Sequence, residues 1–134
     1  DTPQIIDVTS GLGASTDFIP YIYVDADGEH LYITNAANSD PNDYLINKLR
    51  YNPSNLEINT VSSFSLDASF VKTSNACVKN NKLYTLVGGV LTSYNLPAGT
   101  KTVLGTYNSI VGRIFNFNGS VYFTSGEVGK KWNL

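Results

Sequence analysis

The chain has 134 residues, 42% hydrophobic and 15% charged, with nine Tyr and six Phe; this is material for one folded domain and excludes a solvated, disordered chain. A formal net charge of −2 removes the electrostatic basis for binding a phosphate backbone, so nucleic acid is not an expected partner. No stretch approaches the roughly 18 apolar residues of a membrane-spanning helix, and no basic amphipathic segment suggests a lipid surface, so membrane insertion is not expected.

In chain order, the first predicted element is a strand at residues 4–10, carried by Gln4-Ile5-Ile6-Asp7-Val8-Thr9. Gly11-Leu12-Gly13-Ala14-Ser15 follows as a loop, since it lacks both a dinucleotide fingerprint and a phosphate-loop Lys. Residues 21–34 then read as a hairpin, with apolar Tyr21-Ile22-Tyr23-Val24, a two-residue turn at Asp27-Gly28, and a second strand through Leu31-Tyr32-Ile33-Thr34. Turn formers crowd Asn35 to Asp43 and predict an enlarged loop. A third strand is expected at Leu49-Arg50-Tyr51-Asn52-Pro53 and a fourth over Ile58 to Phe64.

The pattern then recurs. Asn75-Ala76-Cys77-Val78, a turn at Asn80-Asn81 and Leu83-Tyr84-Thr85-Leu86 form a second hairpin, followed by strands at Thr92-Ser93-Tyr94-Asn95-Leu96-Pro97 and Thr100 to Tyr107. Ile114-Phe115-Asn116-Phe117, a turn at Asn118-Gly119 and Val121-Tyr122-Phe123-Thr124 form a third hairpin, with a third strand expected at Lys131-Trp132-Asn133-Leu134. Asp-Gly and Asn-Gly tolerate the positive φ of tight hairpin turns. No segment carries a sustained helical period.

The hairpins recur at about 52 and then about 38 residues, Tyr32 to Tyr84 to Tyr122, near the roughly 40 to 50 of propeller blades. The expected fold is therefore all-β, with about three four-stranded antiparallel propeller-type blades over residues 17–66, 70–107 and 111–134. The strand at 4–10 aligns with the fourth strands and supplies what the last copy lacks. Rings close with about four to eight blades, so three blades need the remaining blades of a longer chain or a second copy of this one. The start at Asp1 fits a removed signal peptide or a segment of a longer protein.

Asp27-Gly28-Glu29-His30-Leu31-Tyr32-Ile33-Thr34-Asn35 resembles the Asp-Gly-x-x-Leu-Tyr-Val-Thr-Asn signature of YVTN-type β-propeller repeats. Leu83-Tyr84-Thr85-Leu86-Val87-Gly88-Gly89 is similar to a degenerate kelch strand with its double Gly. The resemblance implies blade architecture and says almost nothing of function, because propellers host binding proteins, enzymes and scaffolds alike.

Chemistry-bearing residues are sparse. Cys77 is the single cysteine and sits in an apolar strand, so a buried structural thiol is expected. Asp25-Ala26-Asp27-Gly28-Glu29 begins like a calcium loop but lacks its closing bidentate Glu. Asp25 and Asp27 are thus weak metal candidates set against a hairpin turn, and no metal or other cofactor is expected. His30 is the only histidine and lies at a strand start. Asn118-Gly119-Ser120 is formally a glycosylation sequon, outweighed by its turn role. No Gly-x-Ser-x-Gly elbow or catalytic constellation occurs.

By analogy with propellers, ligands are expected on the face built by fourth-to-first and second-to-third strand loops. Asp17, Phe18, Asp40, Asp43, Tyr44, Phe70, Lys72 and Arg113 are the candidates there, a mixture that suits stacking and hydrogen bonding to a glycan, peptide or protein partner. The expectation is a noncatalytic binding module, exported to the periplasm, cell surface or medium. Its rivals are a segment of a propeller enzyme acting on glycans, with Asp17 or Asp25 among its carboxylates, and a lectin that closes its ring by oligomerisation.

Overall fold

The computed structural model describes residues 21–34, 45–55, 57–71, 73–107, 112–125 and 128–132. Among these residues the fold is all-β with no helix. The predicted strand at 4–10 lies outside them.

Three antiparallel sheets follow one another along the chain. The first contains β1 (Ile22–Val24), β2 (His30–Thr34), β3 (Leu45–Asn52) and β4 (Glu57–Ser65), in that spatial order. The second contains β5 (Ala76–Lys79), β6 (Lys82–Val87), β7 (Val90–Asn95) and β8 (Lys101–Thr106), again in order. The third contains β9 (Ile114–Phe117), β10 (Ser120–Ser125) and β11 (Val128–Trp132). Each is a plain meander, the arrangement that short turns between sequential antiparallel strands produce.

Two hairpin turns form as expected. Lys79 pairs with Lys82 around Asn80 (φ 50) and Asn81 (φ 57), and Phe117 pairs with Ser120 around Asn118 (φ 48) and Gly119 (φ 73). Both central residues are left-handed, as a type I′ turn requires. The first hairpin differs from the expected two-residue turn: its last strand pair is Val24 with Leu31, and Asp25 N–H then donates to His30 O at 3.1 Å. Four residues, Ala26 to Glu29, therefore cross over, because Asp25 forms a bridge with Val78 and Ala26 N–H donates to Val78 O at 2.9 Å.

The third strands start earlier than the sequence suggested, at Leu45, Val90 and Val128. In the second sheet Gly88 (φ 56) and Gly89 (φ 78) let β6 turn directly into β7, so Val87 already pairs with Val90. Both four-stranded sheets also carry a bulge between their third and fourth strands, at positions two residues apart in register. Lys48 and Leu49 pair with Ser62 and Thr60, leaving Val61 extra; Leu91 and Thr92 pair with Gly105 and Val103, leaving Leu104 extra.

Side-chain alternation gives each sheet two faces, and the second sheet is covered on both. Its Val78, Leu83 and Tyr94 pack with Tyr23, Tyr32 and Ile46 of the first sheet, joined by Leu66, Phe70 and Leu96. Its Cys77, Tyr84, Leu86 and Leu91 pack with Ile114, Val121 and Phe123 of the third. That is why Leu83-Tyr84-Thr85-Leu86 is buried without a break, a run that a one-sided sheet would alternate. The outer strands β4 and β8 are largely exposed and rich in Ser and Thr. The first strands lie side by side, β1 against β5 and β5 against β9. Asn116 on β9 extends the contact, its Nδ2 donating to Val24 O at 2.5 Å.

Candidate functional site

The residue leading into each first strand holds a repeated position. Tyr21 exchanges two bonds with Thr34: its N–H donates to Thr34 Oγ1 at 3.0 Å, and Thr34 N–H donates back to Tyr21 O at 3.0 Å. Arg113 repeats this with Thr124, at 2.9 Å in both directions. In the second sheet the position belongs to Asn75, whose carbonyl accepts from Leu86 N–H at 3.1 Å.

Asn75 also ties the second sheet to the third. Its Nδ2 donates to Leu86 O and to Gly112 O, both at 2.8 Å, and its Oδ1 accepts from Ile114 N–H at 2.8 Å. All of its side-chain polar groups are thereby engaged. The preceding connection is pinned as well, since the buried Tyr23 hydroxyl donates to Thr73 O at 2.7 Å. Burial, only partly offset by that bond, pushes the Tyr23 pKa well above the usual phenol range.

These loops enclose a cleft of about 250 Å³ between the second and third sheets, lined by Thr73, Ser74, Asn75, Gly88, Gly89 and Arg113 among others. Arg113 is exposed, and its guanidinium makes a long bond to Gly112 O at 3.4 Å. The guanidinium keeps donors for a ligand, arranged in the planar fork that matches a carboxylate. Hydroxyls at Thr73 and Ser74 and a backbone opened by two glycines complete a surface made for hydrogen bonding.

Of the residues singled out from the sequence, Arg113 lies in this cleft. Phe70 belongs to the core and not to the loop surface: it is 5% exposed and meets Tyr94 edge-on, with ring centroids 5.3 Å apart. Asp17, Phe18, Asp40, Asp43, Tyr44 and Lys72 lie outside the described residues. Sequence reasoning missed Asn75 and Thr73. The only signal for Asn75 was its repeat alignment with Tyr21.

At the opposite end of the sheets the hairpin turns converge on a second cleft of about 250 Å³, bordered by Asp25, Asp27, Lys48, Lys79, Asn80 and Asn81. Asp25, Asp27 and His30 offer ligand atoms within 4.8 Å of one another. The carboxylates are already occupied in shaping the loop. Asp25 Oδ1 accepts from Asp27 N–H at 3.1 Å, and Asp27 Oδ1 accepts from the N–H groups of Glu29 (2.8 Å) and His30 (3.1 Å). Asp27 Oδ2 lies 2.6 Å from His30 Nδ1. Partial burial opposes ionisation of Asp27, but these bonds outweigh it and hold its carboxyl below the usual range. Lys48 and Lys79 line the same cleft.

The Tyr32 hydroxyl is buried and meets no hydrogen-bond geometry among the described residues, and burial followed by the nearby Asp25 carboxylate drives its pKa up. Cys77 is 2% exposed, and burial, followed by the Asp25 charge, pushes its thiol up to about 12, far from a reactive thiolate.

Set beside known proteins, the chain matches no family model and no curated sequence.

Proposed function

We propose that the three sheets are successive propeller blades and that the chain is a noncatalytic binding module of an extracytoplasmic protein. Support for the blades comes from the consecutive meanders, the adjacency of β1, β5 and β9, and the double-sided burial of the middle sheet.

The binding site is the loop-face cleft, and the observation that carries it is the exposed guanidinium of Arg113 at the edge of a polar cleft between two consecutive sheets. Its donors suit a carboxylate-bearing glycan or peptide, with hydroxyls and amides at Thr73, Ser74 and the Gly88-Gly89 backbone completing the contacts. The repeated lead-in position holds Tyr21, Asn75 and Arg113, three different chemistries. One site on one sheet boundary is thus favoured over a lectin with equal pockets in every blade.

The test is a glycan and peptide array followed by titration calorimetry with Arg113→Ala and Arg113→Lys. Removing hydrogen bonds to a charged group costs about 1.5–3 kcal/mol, so Arg113→Ala should weaken the best acidic ligand roughly 10- to 100-fold, with Lys intermediate. Binding that is indifferent to Arg113→Ala would remove the cleft from consideration.

A further inference from the structure

The Arg113 cleft has a neighbour on the opposite face of the second sheet. Thr85 pairs with Thr92 and Val87 with Val90, so by strand alternation these side chains share the face on which Leu83 and Tyr94 pack against the first sheet. Toward the β6–β7 turn that face opens to solvent. A second cleft of about 220 Å³ lies there, floored by the buried Thr85, Thr92 and Tyr94 and walled by Val71, Val87 and Val90. Val71 and Val87 are 58% and 39% exposed, and Val103, paired with Thr92 on the same face, is 55% exposed.

Polar groups at the far rim of this cleft are already matched to one another. Lys101 Nζ donates to Ser69 Oγ at 2.9 Å, and the Ser69 hydroxyl donates to the Asp67 carboxylate. With the rim engaged, the cleft offers a ligand valine side chains, threonine methyls and a tyrosine ring. A sugar laid there would turn hydroxyls toward valines with no partner, a cost that an aliphatic side chain avoids while it gains from leaving water.

Two elements border both clefts. Val87 lines each of them, and the connection between the first and second sheets contributes Ser69 and Val71 to the apolar cleft and Thr73, Ser74 and Asn75 to the other. Between them β6 turns into β7 through Gly88 and Gly89, which carry no side chains, and a Cβ at Gly88 would meet open space. A ligand can thus cross the end of the second sheet from one cleft to the other over bare backbone. We infer that the ligand of this face is a peptide segment, with an aliphatic side chain in the valine cleft and a nearby carboxylate on Arg113, and not a glycan. In an extended peptide residues i and i+2 face the same way, so an aliphatic and an acidic residue with one residue between them straddle the two-glycine turn. The inference rests on the Arg113 reading and names the ligand class of that site.

Titration calorimetry on the 134-residue chain tests this with short capped peptides centred on Leu-Gly-Glu or, in the other chain direction, Glu-Gly-Leu. The better of the two should weaken roughly 10-fold or more when Ser replaces its Leu, and again when Gln replaces its Glu. Val71 is mostly exposed, so Val71→Asp should leave the far-UV spectrum unchanged and lower the Leu peptide to the affinity of the Ser peptide; Val71→Ser, which adds no charge, should lower it part of the way. Binding that needs Glu and Arg113 but is equal for Leu and Ser overturns the inference and leaves the Arg113 cleft standing. So does a uronic-acid oligosaccharide that binds through Arg113 more tightly than the Leu peptide. A preference for Leu that survives Val71→Asp in folded protein overturns the assignment of the valine cleft. Binding by none of the acidic peptides and oligosaccharides removes the Arg113 reading and this inference together.

Discussion

Asn75 offers the sharpest test of how the second and third sheets are joined. Asn75→Ala removes three side-chain hydrogen bonds, to Leu86 O, Gly112 O and Ile114 N–H, all at 2.8 Å. At about 1 kcal/mol each, with water replacing part of the loss at this half-buried site, the expected destabilisation is about 2–3 kcal/mol. With a urea m-value of about 1–3 kcal/mol/M, the unfolding midpoint should fall by about 1 M or more at unchanged slope. Asn75→Asp is the control that separates hydrogen bonding from packing. It keeps an acceptor for Ile114 N–H but turns a carboxylate oxygen toward two carbonyls, so near neutral pH it should be at least as damaging as Ala. That environment raises the folded-state pKa of the new carboxyl. Its deficit relative to the parent should therefore narrow as the pH falls below the folded value and restores a donor, and widen as the pH rises through it. A loss under about 0.5 kcal/mol for Asn75→Ala, within the range of ordinary surface substitutions, would refute the claim that this side chain carries the junction.

Two further perturbations follow from local geometry. Gly28 (φ +75) and Gly99 (φ +70) share a left-handed backbone, but a Cβ at Gly28 meets open space whereas one at Gly99 would lie against the Ser65 carbonyl oxygen. Gly28→Ala should cost about 1–2 kcal/mol and Gly99→Ala distinctly more by thermal unfolding; equal losses would contradict the close approach. Asp27→Asn should destabilise the protein above the unfolded carboxyl pKa of about 3.9, with the difference from the parent vanishing as the pH falls through the depressed folded value. A difference that stayed constant down to strongly acid pH in urea titrations would contradict the hydrogen-bonded, ionised Asp27.

Much of the strand order was legible because it depends on local chemistry. Asn80-Asn81 and Asn118-Gly119 mark turns that need left-handed residues at both central positions, and the flanking apolar runs follow. The first hairpin was misread because its turn answers to a distant partner, the bridge of Asp25 to Val78, which no local pattern announces. The bulges at Val61 and Leu104 were likewise silent, since β4 and β8 are largely exposed and carry little alternation for an extra residue to break. Phe70 and Arg113 show the same division at the site. An aromatic in a connecting loop reads alike whether it stacks on a ligand or plugs a core, and only the neighbouring Tyr94 decides. A guanidinium before an inner strand stays near the surface, so its exposure followed from its type, while the cleft beside it required Asn75 to hold two sheets together.

Chemical-shift mapping on ¹⁵N-labelled protein, titrated with a uronic-acid oligosaccharide and with a carboxylate-bearing peptide, tests the proposed binding face most directly. The cleft predicts saturable shifts at Ser74, Gly88, Gly89, Gly112 and Arg113 for at least one of the two, lost in Arg113→Ala. Shifts confined to the turn end, at Asp27, Asn80, Asn81 and Gly119, or no shifts from either ligand, would contradict a carboxylate-binding loop face.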